Sequence, residues 1–163
     1  MPRYSSQFAD PVALVTVATP EKTNVMTVGW ASPVSSDPPI LMVSIAPKRF
    51  THDLILKAGE FGVSILGDGQ KQLSSLAGIL SGATYDKLTL PELETIPGER
   101  IAAPLVAGAR ACFECRLVEH HTIGDHTVFY GEVLRSVVDE SVSPLVLFDG
   151  IYYALGEQRG QYP

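Results

Sequence analysis

The chain has 163 residues, 45% of them hydrophobic and 18% charged, with a formal net charge of −6; that length is expected to form one domain over residues 1–163 and to bury roughly 70% of its unfolded surface. An acidic balance with only 12 Lys and Arg leaves no basic stripe to displace counterions from nucleic acid or to approach an anionic membrane. The N-terminus lacks a basic segment followed by an apolar run, and no run nears the ~20 residues that span a bilayer, so the expectation is a cytoplasmic protein with neither nucleic acid nor membrane as partner.

In chain order, an arm ends at Asp10-Pro11 and Val12 to Ala18 follows as a continuous β-branched and apolar run, the pattern of a strand buried on both faces. Thr19 to Thr23 has the length of an antiparallel turn, which predicts a hairpin with Val25 to Trp30; Asn24 then reads as a turn residue. A Pro-broken segment carries Ser32, Ser35 and Ser36. Asp37-Pro38-Pro39 forces an extended approach to a third strand, Ile40 to Ile45. Thr51 is placed to N-cap a helix running to Ala58, with Gly59 as its stop and His52 on its surface. Phe61, Val63 and Ile65 alternate as in a half-buried strand. Leu73, Leu76, Ala77 and Leu80 recur at helical spacing, predicting a helix over 70–81 with Asp68 as cap and Gly82 as stop.

From Gly82 to Leu105, Pro91, Pro97, Gly98 and Pro104 break any period, as in a covering or binding loop. Ala109 to Glu119 and His126 to Val138 read as long strands around HHTIGD, and Leu145 to Phe148 with Ile151 to Leu155 as a closing hairpin across Asp149-Gly150. About eight strands joined mostly by short turns, with two or three short helices, predict a mainly β, antiparallel barrel rather than a doubly wound fold.

Several residues invite chemistry. Cys112 and Cys115 have the spacing of a zinc knuckle or dithiol, but residues three apart on a strand face opposite ways, so no metal or disulfide role is expected and Cys115 is assigned to the core. Of the four histidines, His120 and His121 read as hairpin surface, and none has the i, i+4 helical pairing of a zinc enzyme. His126, at a strand start, reads equally as a site residue or a hydrogen-bonded structural one. No GxGxxG, GxxxxGK[ST] or GxSxG occurs. Lys48-Arg49-Phe50-Thr51 has the chemistry for a phosphate, with two cations, a hydroxyl and free N–H groups at a helix start, although a solvated loop before a capped helix would look the same. Trp30 could wall an aromatic ligand or plug the core.

The ordered series ALVTVAT, NVMTVGWASPVSSDPP, VSIAPKRFTHDLI, EFGVSIL, SGATYDK and IGDHTVFYGEV resembles the flavin reductase-like family of FMN-binding split barrels, from about Asp10 to Leu155. The resemblance implies an antiparallel six-stranded split β-barrel of FMN-binding type, a homodimer with one flavin per subunit. It places Met26, Thr27, Val28, Trp30, Ala31 and Ser32 around the ring and ribityl chain, and Ser44, Ile45, Lys48, Arg49 and Thr51 at the phosphate end. His126 resembles the family's histidine on the nicotinamide side, with Lys87 near the substrate. The implied cofactor is FMN, with FAD possible and NAD(P)H as co-substrate; the implied chemistry is NAD(P)H-dependent reduction of flavin, or of ferric complexes through bound flavin, by hydride transfer to flavin N5, with a partner monooxygenase or electron-transfer protein as a possible recipient. The alternative is an FMN-carrying electron-transfer protein, flavoredoxin-like, reduced by a protein partner; a third reading is a barrel without flavin.

Overall fold

The computed structural model describes residues 4–162; the first three residues of the N-terminal arm and Pro163 lie outside the described residues. Among the described residues there are twelve strands: β1 (Asp10–Pro11), β2 (Ala13–Ala18), β3 (Thr23–Val28), β4 (Ala31–Ser36), β5 (Pro39–Ile45), β6 (Glu60–Ile65), β7 (Thr95–Ile96), β8 (Leu105–Val106), β9 (Ala111–Ile123), β10 (His126–Val138), β11 (Leu145–Phe148) and β12 (Ile151–Ala154). Two helices interrupt them, α1 (Phe50–Ala58) and α2 (Lys71–Ile79). Seven strands form one antiparallel sheet in the order β3-β2-β6-β9-β10-β5-β4, so the protein is mainly β, but the sheet holds seven strands rather than the expected six. The additional member is β4, the segment read as Pro-broken. It lies at a sheet edge, where the missing N–H of Pro33 breaks no inner ladder, and the register shifts between Pro33 and Ser35 absorb its irregularity.

The first hairpin forms as expected, with Ala13 opposite Val28 and Ala18 opposite Thr23. Its turn is closed by the Thr19 N–H donating to the Lys22 carbonyl at 2.8 Å. Asn24 is not in that turn: it opposes Val17 inside β3 and is 2% exposed. The two edge strands, β3 and β4, are consecutive in the chain and joined by Gly29 and Trp30 alone. The Ser44 N–H donates to the Trp30 carbonyl at 2.9 Å. The sheet therefore curls until its two edges meet at this connection.

Strand alternation sends β2 into two cores, which explains why its sequence is apolar at every position but Thr16. Ala13, Val15 and Val17 pack with Val43, Ile45, Leu54, Ile55, Phe61 and Phe129 inside the curl and beneath α1. Leu14 packs with Val25, Leu73, Ala77, Leu105 and Val106 on the other face, beneath α2 and the segment after it. Cys115 belongs to the first core and Cys112 to the second, the opposite-face placement that strand alternation predicts. Burial raises both thiols, Cys115 to about 12. Gly131 in β10 is required by close approach, since a Cβ there would stand 2.6 Å from the Phe61 ring and 2.8 Å from Cys115 Cβ.

Helix α1 ends as expected at Gly59, in the left-handed region with φ 67°. Its start differs: Arg49 is the N-cap and no side chain caps it. Thr51 lies inside the helix, 1% exposed, with its Oγ1 accepting from Asn24 Nδ2 at 2.8 Å. His52 is also buried rather than on the surface, because its ring packs edge-on against Phe129 at 5.2 Å. Helix α2 is shorter than the expected 70–81. A 3₁₀ turn over Asp68–Gln70 precedes it, Gln70 rather than Asp68 accepts from the Gly67 N–H at 3.0 Å, and the extended Leu80 ends the helix before Gly82.

The irregular segment is fixed from beneath by Glu114, which is completely buried. Its Oε2 accepts from the backbone N–H groups of Glu99, Arg100 and Ile101 at 2.9, 2.6 and 3.2 Å, and its Oε1 accepts from Arg135 Nη1 at 3.2 Å. A buried carboxylate is tolerated only when its charge is paired and its lone pairs are filled in this way.

Candidate flavin cleft

A cleft of about 580 Å³ opens where β3, the β5–α1 loop and the β9–β10 turn converge. One wall is Met26 to Trp30; a second is Ser44 to Arg49; Asp125 and His126 form a third, and Asp10 and Leu147 complete the lining. Of the residues expected to hold flavin, Met26, Thr27, Val28, Trp30, Ser44, Ile45, Lys48 and Arg49 are brought together here, and His126 joins them from the far end of the chain. Ala31 and Ser32 lie outside this lining. Both border a groove that shares Asp10 and Trp30 with the cleft and continues to Tyr4 and Phe8.

Aromatic surface is concentrated on one side. The Trp30 and His126 rings stand 4.7 Å apart, tilted by 45°, and His126 Nδ1 lies 2.7 Å from Asp125 Oδ1. Hydrogen bonding to His126 holds the Asp125 carboxyl below its ordinary value, and the same contact fixes which ring nitrogen faces Asp125. The strand that begins with His126 is clamped one residue later. Thr127 Oγ1 lies 3.0 Å from His52 Nε2 and 2.9 Å from Thr122 Oγ1, and His52 Nδ1 lies 2.8 Å from Asp53. This network ties α1 to the turn carrying His126; His52, placed on the helix surface by its position alone, gave no sequence signal for it.

Cations gather on the other side. Lys48 and Arg49 are exposed at the mouth of α1, whose first-turn amides have no side-chain cap, an arrangement suited to an anion. Met26, Lys48 and Arg49 also border a smaller adjoining cavity of about 90 Å³ with Asn24, Thr51, Gly82 and Lys87. Lys87 is 3% exposed and donates from Nζ to the carbonyls of Val25 at 2.8 Å and Ala77 at 2.6 Å. Two carbonyls leave one ammonium proton uncommitted. Loss of solvation, then the neighbouring Arg49 charge, lowers its pKa to about 8. Asn24 Oδ1 is buried without a hydrogen-bond partner among the described residues, and a Cβ on Gly82 would stand 2.0 Å from it. Three cations around one small cavity, Lys48, Arg49 and Lys87, suit a phosphate ester.

The cleft is accordingly aromatic at one side and cationic at the other, which suits a flavin mononucleotide. Asp10, Asn24, Asp125 and Leu147 were not singled out as flavin contacts from the sequence. Asp10 and Leu147 come from an arm and a closing hairpin that pair only in the folded chain, Asp10 opposite Leu147.

The chain belongs to the flavin reductase family: the model of the flavin reductase like domain matches residues 5–156. An uncharacterized protein of Archaeoglobus fulgidus is 39% identical over 120 residues, covering 71% of this chain and 65% of the relative, so the chain spans just under two thirds of that relative's length. The FMN reductase (NADH) SmoA of Agrobacterium fabrum is 33% identical over 151 residues, covering 93% of this chain and 82% of SmoA. Among solved structures, the FMN-binding protein from Thermus thermophilus with bound p-hydroxybenzaldehyde superposes with a TM-score of 0.89 at 33% identity, covering 99% of this chain and 95% of the other.

Proposed function

We propose that the protein reduces flavin with NAD(P)H, holding FMN, or FAD through the same portion, in the cleft described above. The observation that carries this reading is the meeting, in one cleft, of the Trp30–His126 pair with the Lys48–Arg49 loop. Family membership and the likeness to SmoA support it. In this reading the curled sheet is a split barrel of the FMN-binding type, residues 1–163 act as one domain, and two copies associate as a homodimer in the cytoplasm.

Met26, Thr27, Val28 and Trp30 hold the ring and ribityl chain, with Ala31 and Ser32 at the far rim. Ser44, Ile45, Lys48 and Arg49 hold the phosphate end, with Thr51 shaping the adjoining cavity through Asn24. A bound flavin would supply the redox chemistry, with its N5 as the hydride acceptor. The chain orients and shields. Trp30 sets the plane available to the ring, His126 stands on the side from which a nicotinamide approaches, and Asp125 fixes the imidazole's orientation. Lys87 adds positive charge behind the phosphate end. A monooxygenase that consumes reduced flavin is the partner this activity suits.

Anaerobic mixing of the flavin-loaded protein with NADH and then NADPH tests the proposal: bleaching of the flavin absorbance near turnover rates is the expected result. Loaded protein that stays oxidised with both nicotinamides but accepts electrons from a reduced carrier protein would replace it with the electron-transfer reading.

A further inference from the structure

Of the two carboxylates in the cleft, one is unpaired among the described residues. Asp10 sits on the short strand β1, and its carboxylate lies over Gly29 at the cleft wall: a Cβ built on Gly29 would stand 3.6 Å from Asp10 Cβ and from its Oδ2. Asp10 borders both the cleft and the groove beyond Trp30, which places it on the aromatic side, away from the adjoining cavity of Lys87. It makes no ion pair or side-chain hydrogen bond among the described residues. Partial burial raises its carboxyl above the ordinary value. The other titratable groups facing the same space are Lys48, Arg49, Asp125 and His126, and Asp125 is already engaged by His126.

Flavin reduction changes the charge on the ring that this cleft would hold. A hydride from the nicotinamide brings two electrons and one proton to a neutral ring, leaving NAD(P)⁺ and a reduced flavin whose negative charge spreads over N1, C2 and O2. We propose that Asp10 is a specificity-determining residue that discriminates between the two flavin states, its carboxylate disfavouring the reduced anion while leaving the neutral oxidised ring little affected. This rests on the cleft being the flavin site. The consequence is directional: Asp10 pushes reduced flavin out of the cleft, as suits a reductase that hands its product to a separate enzyme.

The test uses the full chain loaded with FMN. Oxidised-FMN affinity is measured by fluorescence quenching and the midpoint potential of bound FMN by dye equilibration, for the wild type, Asp10→Asn and Asp10→Glu. Asp10→Asn is expected to tighten reduced relative to oxidised FMN by about tenfold, seen as a midpoint about 30 mV more positive for the two-electron couple, with Asp10→Glu close to wild type. Asp10→Ser must move the potential in the same direction, which guards against a packing artefact of Asn. Unchanged potentials in Asn and Ser variants that bind both flavin states overturn the role of Asp10. Failure of the wild type to bind either state overturns the cleft assignment itself.

Discussion

The two sides of the cleft are built by different routes. The cationic side is almost contiguous: Lys48 and Arg49 sit on one loop, and the helix whose amides they flank begins at the next residue. The aromatic side is assembled at long range, with Trp30 from the β3–β4 connection, His126 from the start of β10 and Asp10 from the N-terminal arm. A local site depends on a loop keeping its shape, whereas an assembled one depends on sheet register. Substitutions on the first side are therefore expected to change affinity, and those on the second to change what happens to bound flavin.

The largest expected effect is on the cationic side. Lys48→Ala with Arg49→Ala removes two charge-assisted contacts to phosphate and should weaken FMN binding by about 3 kcal/mol, on the order of a hundredfold, by fluorescence titration. Riboflavin, which lacks the phosphate, should lose far less; equal losses for both ligands would move the phosphate elsewhere. Next is Gly82→Ala. Asn24 is held by Thr51 and has little room to withdraw from a Cβ at 2.0 Å, so the variant should unfold at lower denaturant, by about 2 kcal/mol, in equilibrium melts. On the aromatic side, His126→Ala should slow anaerobic flavin reduction by about tenfold while FMN affinity stays within a factor of two or so, since it removes orientation rather than charge. A loss confined to affinity would erase the distinction between the sides.

The smallest effect is a pH dependence. Lys87 has a pKa lowered from 10.5 to about 8 in the folded chain, so as pH rises the folded protein sheds this proton before the unfolded chain does. Its charge is present below pH 8, and its contribution to anion binding is lost as pH climbs through 8, while between 8 and 10.5 the neutral amine makes folding more favourable. FMN affinity should fall severalfold from pH 7 to 9 in the wild type but not in Lys87→Met, and riboflavin affinity should be flat in both.

The same contrast explains what could be read from the chain alone. Lys48, Arg49 and the helix after them form a contiguous chemical pattern, and the β2–β3 hairpin declares itself through a turn between two apolar runs. Side-chain position within an element was harder. Thr51 looks like a cap and His52 like surface because cap and surface preferences are local, yet tertiary packing drew both inward against Asn24, Thr127 and Phe129. Asn24 looks like a turn residue for the same reason. Ala31 to Ser36 looks like a break because proline excludes inner strands, and only the sheet order reveals it as an edge. Glu114 and Asp10 carry no local signal: Glu114 is held by distant backbone N–H groups, and Asp10 reaches the cleft through the pairing of its strand with Leu147 of the closing hairpin.

The connection of Gly29 and Trp30 joins the two edges of the curled sheet and at the same time lines the cleft. Lengthening most surface loops costs a folded protein little, but an added residue here would part the sheet edges and shift Trp30 away from His126 together. Insertion into this architecture is thereby steered away from the flavin ring and toward the Gly82–Leu105 segment. The ring's surroundings are left to change by substitution alone, one side chain at a time.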